Sequence, residues 1–473
     1  MKSKLTKNVT WSVAYKVLTL FIPLITTPYI SRVLGADNIG IYSFEYSIVY
    51  YFIIFIMLGV ENYGNRSISE VSDDVEKRSK TFWQIYIIQI INAILLTIIY
   101  LCYTLFISKE KLIGFVMLFF IVGAGLDINW LFFGLEKISI TVIRNLIIKL
   151  VSFISIFLFV KDENDLLIYT LINSASVILS QLFLWLNVKK YIKLEKVNLV
   201  ESYKKHFKNL WILFIPVIAV SLYRIMDKIM LGAIGGDNSE VGYYDSAERI
   251  VQLPVQIISA IGLVMMPRIS NMYSKGQLDE IKKIILNNCW IVMFISSFMA
   301  FGLMAVSDLF IPLFLGPGFE KCITLMIIIM PSTIFLSFSD ILRTTYLIPQ
   351  KKDKIYIISI LTGALINLIA NSLLIPKYYS VGASIGTLLA EFAVCFVQII
   401  FVWKYIPIKK LLSISFINIL LAFIMSIVVQ SIHINLLNNT ILLLVKILIG
   451  VALAMPIAFI IYKKIFKGKE LIE

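Results

Sequence analysis

Residues 81–107 read TFWQIYIIQIINAILLTIIYLCYTLFI, and from Thr81 to Ile107 not one side chain is charged. A helix rises 1.5 Å per residue and the hydrocarbon core of a bilayer is about 30 Å thick, so about 20 apolar residues cross it. By the same criterion further spans lie near 8–33, 41–62, 112–135, 138–160, 166–188 and 209–231. Seven more lie near 243–267, 283–306, 320–348, 355–375, 382–403, 411–432 and 440–462. The expected fold class is all-α, a polytopic membrane protein of about fourteen transmembrane helices. Because two spans are separated by only a few polar residues, twelve or thirteen is the alternative count. Composition agrees: of 473 residues 59% are hydrophobic and 15% charged, with mean hydropathy +0.89. Soluble domains carry roughly 25% charged residues. The longest run without an apolar block, Lys189 to Lys208, is too short to build one.

Lys and Arg fix the orientation, since they accumulate in cytoplasmic loops. With the N-terminus inside, the segments 1–7, 63–80, 136–144, 189–208, 268–283, 349–354, 404–410 and 463–473 hold 30 of the 43 Lys and Arg. The outer connections hold six: Arg32, Lys109, Lys111, Lys161, Lys321 and Lys377. That bias supports an even number of spans, places both termini in the cytoplasm and accounts for the net charge of +14. Charges dispersed over short loops do not make a nucleic-acid surface. The first span is too long for a signal peptide and lacks a small-residue cleavage site. Cys102, Cys289, Cys322 and Cys395 stand singly in apolar stretches and read as small hydrophobes. His206 and His433 suggest no metal site. No cofactor or catalytic residue is indicated, and the outer connections are too short to carry chemistry.

Two stretches about 200 residues apart echo each other. Leu34-Gly35-Ala36 followed by Ile39-Gly40-Ile41-Tyr42-Ser43 resembles Leu231-Gly232-Ala233 followed by Val241-Gly242-Tyr243-Tyr244-Asp245-Ser246. Gly134-Leu135-Glu136-Lys137 pairs with Ile348-Pro349-Gln350-Lys351, and Asp127 and Asp340 precede these at similar distances. The expected organisation is therefore an N-lobe of six helices (1–190), a basic linker (191–208) and a C-lobe of six helices (209–403). Two further helices and a cytoplasmic tail (404–473) complete it. Transporters built from repeats place substrate at the repeat interface. Leu34 to Gly40 superficially resembles a phosphate loop, but Ile41-Tyr42 stand where Lys and Ser or Thr would be needed.

Thr27-Pro28-Tyr29-Ile30-Ser31-Arg32-Val33-Leu34-Gly35 resembles the first hairpin of bacterial oligosaccharide repeat-unit flippases. So do Leu126-Asp127-Ile128-Asn129-Trp130-Leu131-Phe132-Phe133-Gly134, Asp227-Lys228-Ile229-Met230-Leu231-Gly232 and Val264-Met265-Met266-Pro267-Arg268. These are the Wzx-type transporters of O-antigen and capsule units, in the multidrug/oligosaccharidyl-lipid/polysaccharide superfamily, and the likeness covers the whole chain. The resemblance implies passage of undecaprenyl-diphosphate-linked glycan from the inner to the outer leaflet of the cytoplasmic membrane, by alternating access of the two lobes. It implies membrane lipid as surroundings, a proton or sodium ion as candidate coupling partner, and a polysaccharide polymerase as candidate protein partner.

A charge at the membrane centre costs about 3 kcal/mol on insertion scales, so such residues face a cavity or a partner. Lys16, Lys149, Arg224, Lys228, Arg249 and Arg343 are the candidate ligands for a diphosphate, with Arg a planar fork and Lys a point charge. Glu45, Asp127, Asp340 and Glu391 are candidate gates or ion-coupling groups. The structural alternatives are specific. Asp227-Lys228 and Glu248-Arg249 can pair with one another, and Asp340 can neutralise Arg343 at i, i+3. Lys446 can snorkel. Glu61, Arg66 and the run Asp73 to Lys80 read as a solvated cytoplasmic face. Trp11, Trp130 and Trp211 read as interfacial or core aromatics. Two other functions stay open. A drug/cation antiporter of the same superfamily is disfavoured by the excess of intramembrane cations. An integral-membrane glycan polymerase lacks a carboxylate-bearing loop.

Overall fold

A computed structural model describes the backbone of residues 2–432, 434 and 438–467, and their side chains except those of 2–20, 223, 263, 264, 457, 461 and 464–467. Among these residues there are helices and turns and no β-strand. The chain forms two compact units, Met1–Ile229 and Met230–Glu473. The first contains α1 (Lys2–Met57), α2 (Val60–Glu70), α3 (Val75–Phe106), α4 (Lys111–Gly125), α5 (Asn129–Gly134), α6 (Ile138–Phe159), α7 (Leu166–Val188) and most of α8 (Leu199–Gly235). The second contains α9 (Asn238–Ser274), α10 (Leu278–Ala305), α11 (Ser307–Phe314), α12 (Lys321–Ile329), α13 (Ser332–Leu342), α14 (Asp353–Val402), α15 (Ile408–Gln430) and α16 (Asn439–Lys467).

Among the described residues twelve helical stretches are long and apolar enough to cross a membrane. Two of them are double length. At 1.5 Å per residue the 56 residues of α1 would run about 84 Å if straight, and the helix breaks at Gly35 (φ 73°, ψ 174°). The 50 residues of α14 break at Tyr379 (φ 50°). There the chain doubles back: a Cβ on Gly382 would stand 2.6 Å from the Leu374 carbonyl oxygen, and one on Gly386 would strike the Asn371 side chain. Counting each as two crossings gives the fourteen expected from sequence.

Each unit has its own core. In the first, Ile68, Phe82, Ile85, Trp130, Phe132 and Leu210 are fully buried together. In the second, Ile285, Cys289, Trp290, Ile341, Leu347 and Leu411 are buried together. Apolar side chains such as Ile94, Leu95, Ile98 and Phe106 remain exposed on α3, as a lipid-facing surface requires.

Several expected spans differ in detail. The span at 112–135 is split at Leu126–Ile128, and the span at 320–348 is split near Pro331 and ends in a π-turn over Arg343–Leu347. Helix α8 begins at Leu199, ten residues before the expected start, because His206 and Leu210 turn inward to pack on the first unit. Arg78 is not a solvated charge. Its guanidinium donates to the Tyr191 carbonyl at 2.6 and 3.1 Å and to the Ser72 carbonyl, and so staples the chain entering α8 to the start of α3.

Candidate functional site

Breaking a helix inside a membrane frees carbonyls that lipid cannot satisfy. At the α4–α5 break side chains take the place of water. Gln89 Nε2 donates to the Ala124 and Asp127 carbonyls at 2.9 and 2.8 Å, and Trp185 Nε1 donates to the Leu126 carbonyl at 2.9 Å. Trp130 Nε1 closes the arrangement on Gln89 Oε1 at 3.3 Å, and its ring packs so tightly on Gly64 that a Cβ there would lie 2.5 Å away. Asp127 therefore sits at a fixed turn: its Oδ1 accepts from the backbone and side-chain nitrogens of Asn129, both at 2.8 Å. Asn129 Oδ1 in turn accepts from Arg144 at 2.9 Å. Arg144 is 3% exposed and also donates to Asn145 Oδ1 and to the Ser180 carbonyl. Reading Arg144 as a loop cation is corrected here. The asparagines on either side of it, Asn129 and Asn145, are the sequence signal for its burial.

Of the remaining candidates in the first unit, Glu45 is 2% exposed and accepts from Ser108 Oγ at 2.6 Å and Tyr103 hydroxyl at 3.2 Å. Lys149 lies midway along α6 and is half-buried, whereas Arg224 is exposed on α8. Among the described residues neither has a carboxylate in salt-bridge range. Lys228 is half-buried and does have a partner. Lys16 lies outside the described residues. A further buried polar group escaped the sequence reading: His206, 2% exposed, is held by Tyr63 hydroxyl at 2.8 Å and Gln84 Oε1 at 3.1 Å.

In the second unit the candidate cations meet acids. Arg249 Nε lies 2.7 Å from Asp245 Oδ2, one turn earlier on α9, an acid not singled out from sequence. Arg343 pairs with Asp340 through Nε at 3.1 Å and through a second nitrogen, and lies over the Tyr356 ring at 5.9 Å. Gly262 makes room for that pair, because a Cβ there would stand 2.6 Å from Asp340 Oδ2. At the start of α9, Glu240 accepts from Lys321 and from the backbone and hydroxyl of Ser380. Glu391 is 4% exposed, and its Oε2 meets no donor among the described residues.

The sites expected from sequence thus fall into two classes. Asp127, Asp340, Glu45, Arg249 and Arg343 have local partners. Among the described residues no partner meets Lys149, Arg224 or one oxygen of Glu391. The chain is similar to known proteins. An Escherichia coli (strain K12) protein named "Putative O-antigen transporter" is 25% identical over 407 residues, covering 85% of this chain and 97% of that one. A structure described as lipid II flippase MurJ in an inward closed conformation has a TM-score of 0.78 at 16% identity, covering 97% of this chain and 99% of that one. An inward-facing multidrug-resistance MATE transporter of the MOP superfamily has a TM-score of 0.61 at 13% identity, covering 83% and 99%. At those identities the two structures establish the polytopic transporter fold. The profile described as polysaccharide biosynthesis protein matches residues 5–273, more than half of the chain. On that match the chain belongs to the polysaccharide biosynthesis protein family.

Proposed function

We propose that this protein is a flippase for undecaprenyl-diphosphate-linked oligosaccharide units, moving them from the inner to the outer leaflet of the cytoplasmic membrane by alternating access. Both termini are cytoplasmic in this reading, and no covalent bond is made or broken. The carrying observation is that Lys149 and Arg224 lie in apolar spans without a carboxylate partner among the described residues. An uncompensated cation in a span is costly unless an anion meets it during the working cycle. At an effective dielectric near 20 each close pair with a phosphate charge is worth about 4 kcal/mol before desolvation. The name carried by the Escherichia coli relative supports a glycan cargo.

Lys149 and Arg224 bind the diphosphate, joined by Lys16, while Lys228, Arg249 and Arg343 contribute less because each has a partner in the resting molecule. Glu391, with an undonated oxygen in a buried place, is the coupling group for a proton or sodium ion. Asp127, Asp340 and Glu45 act as gates through the contacts described. A polysaccharide polymerase takes up the translocated unit. The antiporter reading would require acids in place of Lys149 and Arg224.

The test is Arg224→Ala in the full-length protein. The expected result is wild-type abundance and melting temperature, loss of polymer from the cell surface and accumulation of lipid-linked units inside. Arg224→Lys should restore part of the export. Normal export by a well-expressed Arg224→Ala protein would remove the central claim.

A further inference from the structure

Lys446 lies in the third turn of α16 and is 2% exposed, yet among the described residues no hydrogen-bond or ion-pair partner meets its ammonium. It lines a cavity of about 430 Å³ between α10, α11, α15 and α16 whose other walls are apolar, including Phe298, Phe310, Met425 and Val429. Gly302 and Gly450 keep the cavity open: the nearest atoms to a Cβ at either would be the flexible Met425 and Val429 side chains, at 3.5–3.7 Å. The one acid on α11, Asp308, is exposed and does not line the cavity. A lysine held this way in an apolar chamber carries a charge without a counter-ion, which proteins avoid unless a ligand supplies one.

We infer that this chamber binds one anionic phospholipid of the outer leaflet, with its phosphate on Lys446 and an acyl chain along Phe298, Met425 and Gly450. Depth favours a headgroup. Lys446 lies five residues, about 7.5 Å, beyond Ile441 at the start of the apolar run. Helical side chains lean toward the N-terminus, which brings the ammonium toward the rim of the bilayer. Charge favours a phosphodiester over the diphosphate carrier, since one cation balances one negative charge. The volume lies within the range of lipid and small-molecule pockets, about 300–1,000 Å³. This inference uses the proposed function only for the orientation of α16.

The experiment is a melting and native mass-spectrometry titration of the purified full-length protein in detergent, with dioleoyl phosphatidylglycerol, dioleoyl phosphatidylcholine or undecaprenyl phosphate. Phosphatidylglycerol should raise the melting temperature and remain bound as a single copy. Lys446→Met, which removes the charge and keeps the length, should fold at least as well and bind phosphatidylglycerol about tenfold more weakly, the size of one charge-assisted hydrogen bond. Lys446→Arg should retain binding, and Gly450→Leu, which fills the chamber, should lose it with the lysine intact. Equal binding of phosphatidylcholine, unchanged binding to Lys446→Met, preference for undecaprenyl phosphate, or no lipid retained at all would each overturn the inference. Export by Lys446→Met should persist, so failure here leaves the Arg224 test untouched.

Discussion

In the second unit, Arg249 and Arg343 each have a carboxylate one turn away on their own helix, at 2.7 Å in the first case. In the first unit, Arg144 is held by two asparagines and a carbonyl, and among the described residues Lys149 and Arg224 have no carboxylate within salt-bridge range, although Asp227 follows Arg224 by one turn of α8. The two compact units thus differ in what their charges do. Pairing on one helix makes a cation part of the scaffold, because both charges are ordered together and neither is available to a visitor. Leaving a cation without an acid keeps it available, at a cost to stability.

The largest expected effect tests that division directly. Lys149→Met should lower export at least tenfold with an unchanged melting temperature, whereas Arg249→Met should lower export far less. Equal losses, measured as surface polymer per molecule, would abolish the contrast. Stability should show the reverse order. Arg343→Ala strands Asp340 and should cost about 1–2 kcal/mol, less than for a fully buried pair because the Arg343 side chain is 30% exposed, seen as a lower melting temperature in detergent. The double variant Asp340→Asn, Arg343→Met should recover most of it. Next comes the break between α4 and α5. Gln89→Leu leaves the Asp127 carbonyl without a donor and the Trp130 N–H without an acceptor, while Ala124 keeps its bond from the Asp127 N–H, so a loss of about 2 kcal/mol is expected, measurable by the same melt.

Smaller effects sharpen a second likeness between the units. After α5, Lys137 N–H bonds the Phe132 carbonyl and Glu136 N–H the Phe133 carbonyl, with Glu136 at φ 55°. After the π-turn, Lys352 bonds Leu347 and Lys351 bonds Ile348, with Lys351 also at φ 55°. This is the Schellman ending, which ordinarily places glycine at the left-handed position. Gly276 fills that position after α9, with φ 71°. Glu136→Gly and Lys351→Gly should therefore each stabilise by about 1 kcal/mol, and Gly276→Ala should destabilise by a similar amount. The smallest effect concerns Asp74. The Lys77 backbone N–H holds its carboxyl below the usual aspartate range, with a second bond from Glu76. A lowered folded-state value means the cap is fully effective at neutral pH and is lost as pH falls below the ordinary aspartate range and through the lowered one. The protection factors of the Glu76 and Lys77 amides, corrected for intrinsic exchange, should fall in that acid window and stay constant between pH 6 and 8.

Helix number and kind were legible because an apolar run long enough to cross a bilayer has few other uses. Register was less so. The two Schellman endings lie 215 residues apart, Glu136 with Lys351 and Lys137 with Lys352, while the matching letters Gly134 and Ile348 lie one residue out of step. Likewise Gly35 (φ 73°) and Gly236 (φ 69°) share the left-handed conformation, whereas Gly232 lies inside α8, which continues to Gly235. The sequence alone reads Arg78 as a solvated charge and Arg144 as a loop cation, because counting cations near helix ends cannot tell a free guanidinium from one that donates to a carbonyl. The breaks at Leu126 and Pro331 were hidden because side-chain donors such as Gln89 and Trp185 come from distant turns.

The doubling back of α14 leaves no slack between the two crossings it joins. At Tyr379 the next helix starts within a residue, and Gly382 already touches the Leu374 backbone. An epitope or reporter spliced there would have to unwind both flanking helices, so it should abolish folding. At Glu195–Lys196 both side chains are exposed and no described hydrogen bond ties the backbone, and a tag of the same length should be carried without harm.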